Sequence, residues 1–387
     1  MFLIIRDQIH GDMHFSDAEM KLINSRSFER LRYIKQLAFA DYQYPSAVHT
    51  RYQHSLGVCQ CVTDMYNAVI RNYPDFYREG DLELLRMMAL CHDLGHSPFS
   101  HASEELSNIS HEERLREILE VEKKNIILPN TYGVDNVVDL IYEVYMGEGV
   151  TYLSNPHLMA LHSFLDNFVD ADKLDYLERD AINCGVGYGK FDRQALINNL
   201  TVAVKDGFEI IALKSSGVQA LESFILARYY MFSQVYIHPY ERILRYQYCE
   251  EMKTILKDGK YPDDIRKFLA LDDTKFSRKL KFLRGSKYAL IYDDEFNDKV
   301  YSVVSERLKG LVLCDIPRKN IFRKGSDDST IYIQNELSGN VVSCAEASPI
   351  LKNIEFTCVH KLRFYAETSV ADEVRAELQK IVKGVLK

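Results

Sequence analysis

What this chain has little of narrows the reading first. No apolar run approaches the length of a membrane span, and the opening Met1-Phe2-Leu3-Ile4-Ile5 is too short for the apolar part of a secretion signal. A helical membrane protein is excluded on that ground, and a cytoplasmic setting is expected. Positive charge is in deficit. A net charge of −8 argues against broad nonspecific binding of nucleic acid, leaves room for a local basic site, and fits a small anionic substrate better than a long duplex. The eight cysteines follow no framework spacing. Cys59-x-Cys61 and Cys91 sit inside apolar helical patterns, so reduced core thiols are expected rather than disulfides or a zinc knuckle. Tryptophan is absent, and the sequence contains neither an internal repeat nor a low-complexity tract.

What is present is enough for a large core. The 387 residues are 47% apolar and include 25 Tyr and 19 Phe, a supply of rings that fills cores and can stack a base. The densest chemistry lies in Cys91-His92-Asp93-Leu94-Gly95-His96-Ser97-Pro98-Phe99-Ser100-His101. Leu84, Leu85, Met88 and Cys91 recur at helical spacing ahead of it, so His92 and Asp93 arrive at the buried end of an apolar helix. A carboxylate there needs a cation or donors to replace its lost hydration.

Upstream, Ser16-Asp17-Ala18-Glu19 has the form of a capping box, and residues 7 to 40 read as a short helix pair ending at Gln36-Leu37. His54 heads the buried face of a helix running through Val62 and Tyr66 to Ile70. Downstream, Ser110-His111-Glu112-Glu113 repeats the capping form and sets His111 in an exposed first turn, where a surface histidine and a group acting on a neighbouring site are both open. Residues 158 to 182 are expected as one helix. On it Leu161, Leu165, Phe168, Asp172, Tyr176 and Asp180 share a face that turns from apolar to polar, with Lys173 at its border.

Asp206-Gly207 marks a hairpin, the one clear β feature expected before residue 300. A long aromatic helix bent at Pro239 is expected from Val218 to Leu256. Beyond it a polar loop at 319–329, strands at 331–334, 341–344 and 362–366, and a closing helix at 371–386 make a small α+β module. The expected fold class is therefore mainly α, a helical bundle over residues 1–258 with an α+β module over 259–387.

His54, His92, Asp93 and Asp172 come from three helices, each on a face expected to be buried. Two imidazoles and two carboxylates form a mixed nitrogen and oxygen set suited to Fe, Mn, Zn, Ni or Co rather than to an all-oxygen Mg site or a thiolate zinc site.

Five blocks carry a resemblance: Arg32-Tyr-Ile-Lys-Gln-Leu37, Arg51-x-x-His54-Ser-Leu-Gly, the Cys91–His101 stretch, His111-Glu112, and Asp172-Lys-x-Asp-Tyr-x-x-Arg-Asp180. In this order and spacing the chain, over roughly residues 1 to 250, resembles the HD-domain phosphohydrolases. Within them it is most similar to the branch of the mammalian SAM-and-HD-domain deoxynucleotide triphosphohydrolase and its bacterial relatives. The resemblance implies an HD helical bundle and metal-dependent hydrolysis of deoxynucleoside triphosphates to deoxynucleoside and triphosphate. The alternative is an HD-type nuclease or phosphodiesterase acting on single-stranded nucleic acid or a signalling nucleotide.

By the same resemblance His54, His92, Asp93 and Asp172 hold a divalent transition metal, with Asp93 also counted among the catalytic groups. His96, His101 and His111 lie near the scissile phosphate, and Arg51 and Lys173 contact phosphates. Gln36 and Asp180 read the sugar 3′-hydroxyl, and Leu37 and Tyr176 pack on the sugar. Mg on the substrate phosphates and a homo-oligomer, dimer or tetramer, are further implications.

Two departures stand out. Met231-Phe232 is followed by Ser233-Gln234-Val235 where the family has a triphosphate-contacting arginine, so that arginine is missing or replaced by Arg242 or Arg245. Asn24 and Glu29 replace the residues that read an activating guanine nucleotide, so that activation is not carried over.

Overall fold

The computed structural model describes residues 3–281, 285–320, 331–354 and 358–386. It opens not with a helix but with a hairpin, β1 (Leu3–Asp7) and β2 (Gly11–Phe15), in which Asp7 pairs with Gly11 across the turn. Its turn is tied by Asp7, whose Oδ1 accepts from the Ile9 and His10 amides. The expected helix pair follows as Asp17–Ile23, capped by the Ser16/Glu19 box, and the short Arg26–Glu29.

Three helices form the centre. Arg51–Asn72 starts at Thr50, whose amide is accepted by Gln53 at 2.9 Å, and it packs against Asp81–Cys91 and Ala171–Cys184. Their facing residues Leu56, Val62, Leu85, Met88 and Leu174 are all buried in one continuous core. Helix His111–Glu122 begins at the predicted Ser110/Glu113 box.

The single helix expected over 158–182 is instead two, Pro156–His162 and Ala171–Cys184. Asp170 breaks it by accepting the Lys173 amide at 2.8 Å as the cap of the second helix. Leu165 and Phe168 are nevertheless buried between them, so their spacing reflected the core and not a helix. The bend expected at Pro239 is a full break. Val218–Met231 widens into a π-type turn at Phe232–Tyr236, and Pro239 opens a new helix to Ile255.

Strands β3 (Leu200–Lys205) and β4 (Phe208–Lys214) make the predicted hairpin, with Asp206 and Gly207 left-handed at the turn. Strands β8 (Tyr332–Gln334) and β9 (Val341–Ser343) join this hairpin through a parallel β4–β8 ladder. The sequence groups them with the last strand in one α+β module. That last strand, β10 (Cys358–Glu367), pairs instead with β5 (Tyr288–Glu295) on one side and with β6 (Leu313–Asp315) and β7 (Arg318–Asn320) on the other. Helices Asp298–Arg307 and Ala371–Val385 close a separate small core over that sheet. The polar loop expected at 319–329 lies mostly outside the described residues. The cysteines are free, but Cys314 is exposed rather than buried. No helix among the described residues is long and apolar enough to cross a membrane.

Candidate metal centre and active site

Three helix ends converge here because each chemistry-bearing residue stands within a turn of a terminus. His54 is in the first turn of Arg51–Asn72, His92 terminates Asp81–Cys91 with Asp93 following, and Asp172 is in the first turn of Ala171–Cys184. His54 Nε2 lies 3.3 Å from His92 Nε2, 2.9 Å from Asp172 Oδ1 and 3.8 Å from Asp93 Oδ2. His92 Nε2 lies 3.4 Å from Asp93 Oδ1 and 3.9 Å from Asp172 Oδ1. One ligand atom from each of His54, His92 and Asp93 fits within 4.8 Å of the others. His54, His92 and Asp93 are buried as expected. Asp172 is not fully so, and its side chain, 34% exposed, forms the open side of the centre.

The far nitrogens settle which way these imidazoles face. His92 Nδ1 donates to the Ala89 carbonyl at 2.7 Å and His54 Nδ1 to Asp175 Oδ2 at 2.8 Å. His92 Nε2 is therefore left facing the same point as His54 Nε2, 3.3 Å from it. Burial lowers the affinity of His54 for a proton, yet its bonds to Asp172 and Asp175 and the charge of Asp93 outweigh that and push its pKa up to about 10. Three carboxylates thus retain a proton on one buried imidazole when no cation is present, and a divalent metal fits where that proton sits. Asp93 is held well below the usual carboxylate range: burial opposes ionisation, but Arg51, His92 and His96 override it.

A second layer extends from Asp93. His96 Nε2 is 3.3 Å from Asp93 Oδ1, its ring stacks on His111 at 4.4 Å, and His101 meets it edge-on at 4.8 Å. The three predicted histidines are therefore brought together beside the centre. Gly95 permits this, since a Cβ there would stand 2.0 Å from the His111 carbonyl oxygen. His111 is half-buried rather than exposed. Burial lowers its pKa, aided by His101 and Arg51 and opposed by Glu112, whose Oε1 is 3.0 Å from Nε2, and by Glu104.

The residues assigned to substrate are largely engaged with other groups of the protein. Arg51 donates to Asp93 Oδ2 and to Ser100 Oγ, both at 2.7 Å, and Lys173 pairs with its own cap Asp170. Asp180, buried, accepts from His49 Nε2 at 2.7 Å and from the Tyr236 hydroxyl at 2.8 Å. Tyr176 meets the Tyr236 ring edge-on, Leu37 is half-buried, and Gln36 presents a buried Oε1 with no hydrogen-bond partner. Asp172, Tyr176 and Asp180, spaced by four, stay on one helical face. The C-terminal sheet reaches this side too. Arg363 donates to the Ile237 carbonyl and Tyr365 to that of Pro239 at 2.9 Å, bracing the turn that carries Tyr236.

Several participants were not singled out from sequence: His10, His49, Asp175, Arg179 and Asp273. Asp175 and Arg179 stood inside the Asp172–Asp180 motif, and His49 beside the Arg51 motif. Nothing local marked Asp273. Its Oδ2 accepts from Lys35 N at 2.9 Å and its Oδ1 from Phe99 N at 2.7 Å, so it clamps the Gln36 segment to the His96–His101 turn, where Phe99 and Ser100 are left-handed. Asp273→Asn should turn an amide NH2 on one of those donors, leave a buried N–H unsatisfied at a cost of about 1–3 kcal/mol, and lower both the melting temperature and kcat. An unchanged melting temperature would remove the clamp. A second group, His10, Cys61 and Asp175, also lies within 4.8 Å. It is filled by Arg193, which donates to His10 Nδ1 at 2.8 Å and to Cys61 Sγ at 3.7 Å, so it does not fit a metal.

Comparison with known proteins agrees with this geometry. Residues 51–148 match the HD domain and residues 191–292 the HD associated region. The chain is 34% identical over 243 residues to the uncharacterized protein YwfO of Bacillus subtilis, covering 62% of this chain and 52% of that one. It is 28% identical to the deoxynucleoside triphosphate triphosphohydrolase SAMHD1 homolog of Dictyostelium discoideum, covering 71% and 54%. With mouse SAMHD1 the figures are 30% identity, 52% and 35%. The chain spans about half the length of the curated relatives it matches. Among solved structures, a hypothetical protein from Aquifex aeolicus superposes with a TM-score of 0.80 at 28% identity, over 98% of this chain and all of that one.

Proposed function

The chain belongs to the HD-domain phosphohydrolases, and from that premise we propose that it hydrolyses deoxynucleoside triphosphates, releasing deoxynucleoside and triphosphate. The observation that carries the reading is the pair of imidazole Nε2 atoms 3.3 Å apart with both far nitrogens committed, closed by Asp93 and Asp172. The choice of substrate rests on the relatives named as deoxynucleoside triphosphate triphosphohydrolases.

A divalent transition metal (Fe, Mn, Zn, Ni or Co) held by His54, His92, Asp93 and Asp172 supplies Lewis-acid polarisation of a phosphoryl oxygen and acidifies water toward neutrality. The chain's own residues do the rest. Arg51 keeps Asp93 ionised and aimed. His111, with His101 and His96 beside it, delivers a proton to the leaving oxygen. Lys173 leaves Asp170, or shares it, to meet the phosphates, which bring their own Mg. Leu37 and Tyr176 pack on the deoxyribose, and Asp180 with the unpartnered Gln36 Oε1 meets the 3′-hydroxyl. A homo-oligomer in the cytoplasm belongs to the same proposal.

The test is to incubate metal-loaded protein with dNTPs, NTPs, cyclic nucleotides and single-stranded DNA and to resolve the products chromatographically. Deoxynucleoside with inorganic triphosphate is the expected result. Shortened DNA or linearised cyclic nucleotide would establish a nuclease or phosphodiesterase instead. Within the leading reading, His111→Ala should keep its metal and bind nucleotide nearly normally while kcat falls at least about a hundredfold, in the range of lost general acid catalysis. Metal loss in that variant would make His111 a ligand, and normal turnover would make His101 or His96 the donor.

A further inference from the structure

A chain of hydrogen bonds leads from the N-terminal hairpin to the centre. Arg193 Nη1 donates to His10 Nδ1 at 2.8 Å, which leaves His10 with its proton on Nε2. That nitrogen donates to Asp175 Oδ1 at 2.8 Å, and Asp175 Oδ2 accepts from His54 Nδ1 at 2.8 Å. The side chains of His10 and Asp175 are wholly buried. Arg179 crosses the chain with a fork, Nε to Asp175 Oδ2 and Nη2 to Oδ1, both at 2.8 Å, and its other face is held by Asp7 from the same hairpin turn. Both oxygens of Asp175 therefore have two donors each. The Arg179 fork seats both oxygens from the same helix that carries Asp175; the His10 bond adds to Oδ1 a donor from outside that helix and so ties the direction in which Oδ2 faces His54 to the hairpin turn.

We propose that His10, on a turn remote in sequence from every ligand, is a positioning residue that acts through Asp175 to set the proton and the direction of His54, and with them the affinity of the centre for its metal. The inference rests on the reading of His54 as a ligand. Its chemistry is specific: the residue must donate to Asp175 from the place of Nε2. A glutamine ends where Nε2 stands and can donate. An asparagine ends near Nδ1 and falls short.

Apo protein titrated with Co2+ against a chromophoric chelator gives the affinity, the visible spectrum of bound Co2+ reports ligand geometry, and circular dichroism with thermal unfolding reports the fold. His10→Ala and His10→Asn should still bind one Co2+ but about 10- to 100-fold more weakly and with an altered spectrum, and His10→Gln should recover most of the affinity. If Ala is misfolded, the comparison of Gln with Asn carries the result, since both are polar amides on the same turn. Equal affinity in wild type and His10→Asn, or no difference between Gln and Asn, overturns the role of His10. A wild-type chain that takes up no Co2+, or takes it up equally well after His54→Ala, overturns the metal reading beneath it.

Discussion

Asp172→Ala is expected to give a folded chain stripped of most of its metal. The carboxylate is a third exposed and caps nothing: the helix it stands on is capped by Asp170, which remains. Losing a first-turn acid costs about 0.3–1 kcal/mol through the helix dipole, and loss of the 2.9 Å partner of His54 adds to that, so the metal-free variant should stay folded but unfold at a somewhat lower temperature. The centre fares differently. Asp172 Oδ1 is the carboxylate oxygen nearest to His54 Nε2, at 2.9 Å, while Asp93 Oδ2 is 3.8 Å away and already accepts from Arg51. Removal leaves two imidazoles and one carboxylate weakened by its guanidinium. Loss of a direct ligand should exceed the roughly 10- to 100-fold affinity cost of an outer-layer change. Elemental analysis of purified protein reads this, and full metal retention would sink the assignment of Asp172.

Most of what sequence made legible was local. The Ser16/Glu19 and Ser110/Glu113 boxes and the Asp206-Gly207 turn involve residues within three of one another, and all three formed. The apolar spacing from Leu161 to Phe168 was real burial but misleading geometry, because a helix face and a packed turn satisfy the same core. The opening hairpin was hidden since Leu3 and Ile4 are exposed and β1 carries no fully buried residue. The placement of β8 beside β4 rests on a parallel ladder closed over more than a hundred residues, which no local pattern encodes.

The site divides the same way. His54, His92, Asp93 and Asp172 lie in compact motifs read as buried helix faces, although periodicity ran one helix through Asp172, which instead stands in the first turn of a new one. The groups that aim them come from far away. His10 reaches Asp175 across 165 residues, and Asp273 reaches Lys35 across 238. Such partners carry ordinary residue types in unremarkable surroundings, and only the folded chain shows that both oxygens of Asp273 bind backbone amides. Conversely, Lys173 and Asp180 were legible as polar groups on one face, but their partners Asp170, His49 and Tyr236 were not.

Gly57→Ala is expected to be among the most damaging single-methyl additions in the chain. A Cβ at Gly57 would stand 1.9 Å from Asp175 Oδ1 and 2.4 Å from Arg179 Nη2, far inside contact distance. Neither atom is the loose end of a flexible side chain. Asp175 is fixed by His10, His54 and Arg179, and Arg179 is fixed by Asp7. Overpacking alone costs about 1–3 kcal/mol. Relief by expelling the carboxylate would instead break a buried pair, at about 3–5 kcal/mol, and release His54 Nδ1. Either route lowers stability, but only the second lowers metal affinity. The expected result is a fall of several degrees in the first thermal unfolding transition together with weaker binding of Co2+. Gly187→Ala, where a Cβ meets nothing within 4 Å, should change neither. A Gly57→Ala chain that is destabilised yet binds Co2+ normally would mean that the aim of His54 does not depend on the seat of Asp175 beneath Gly57.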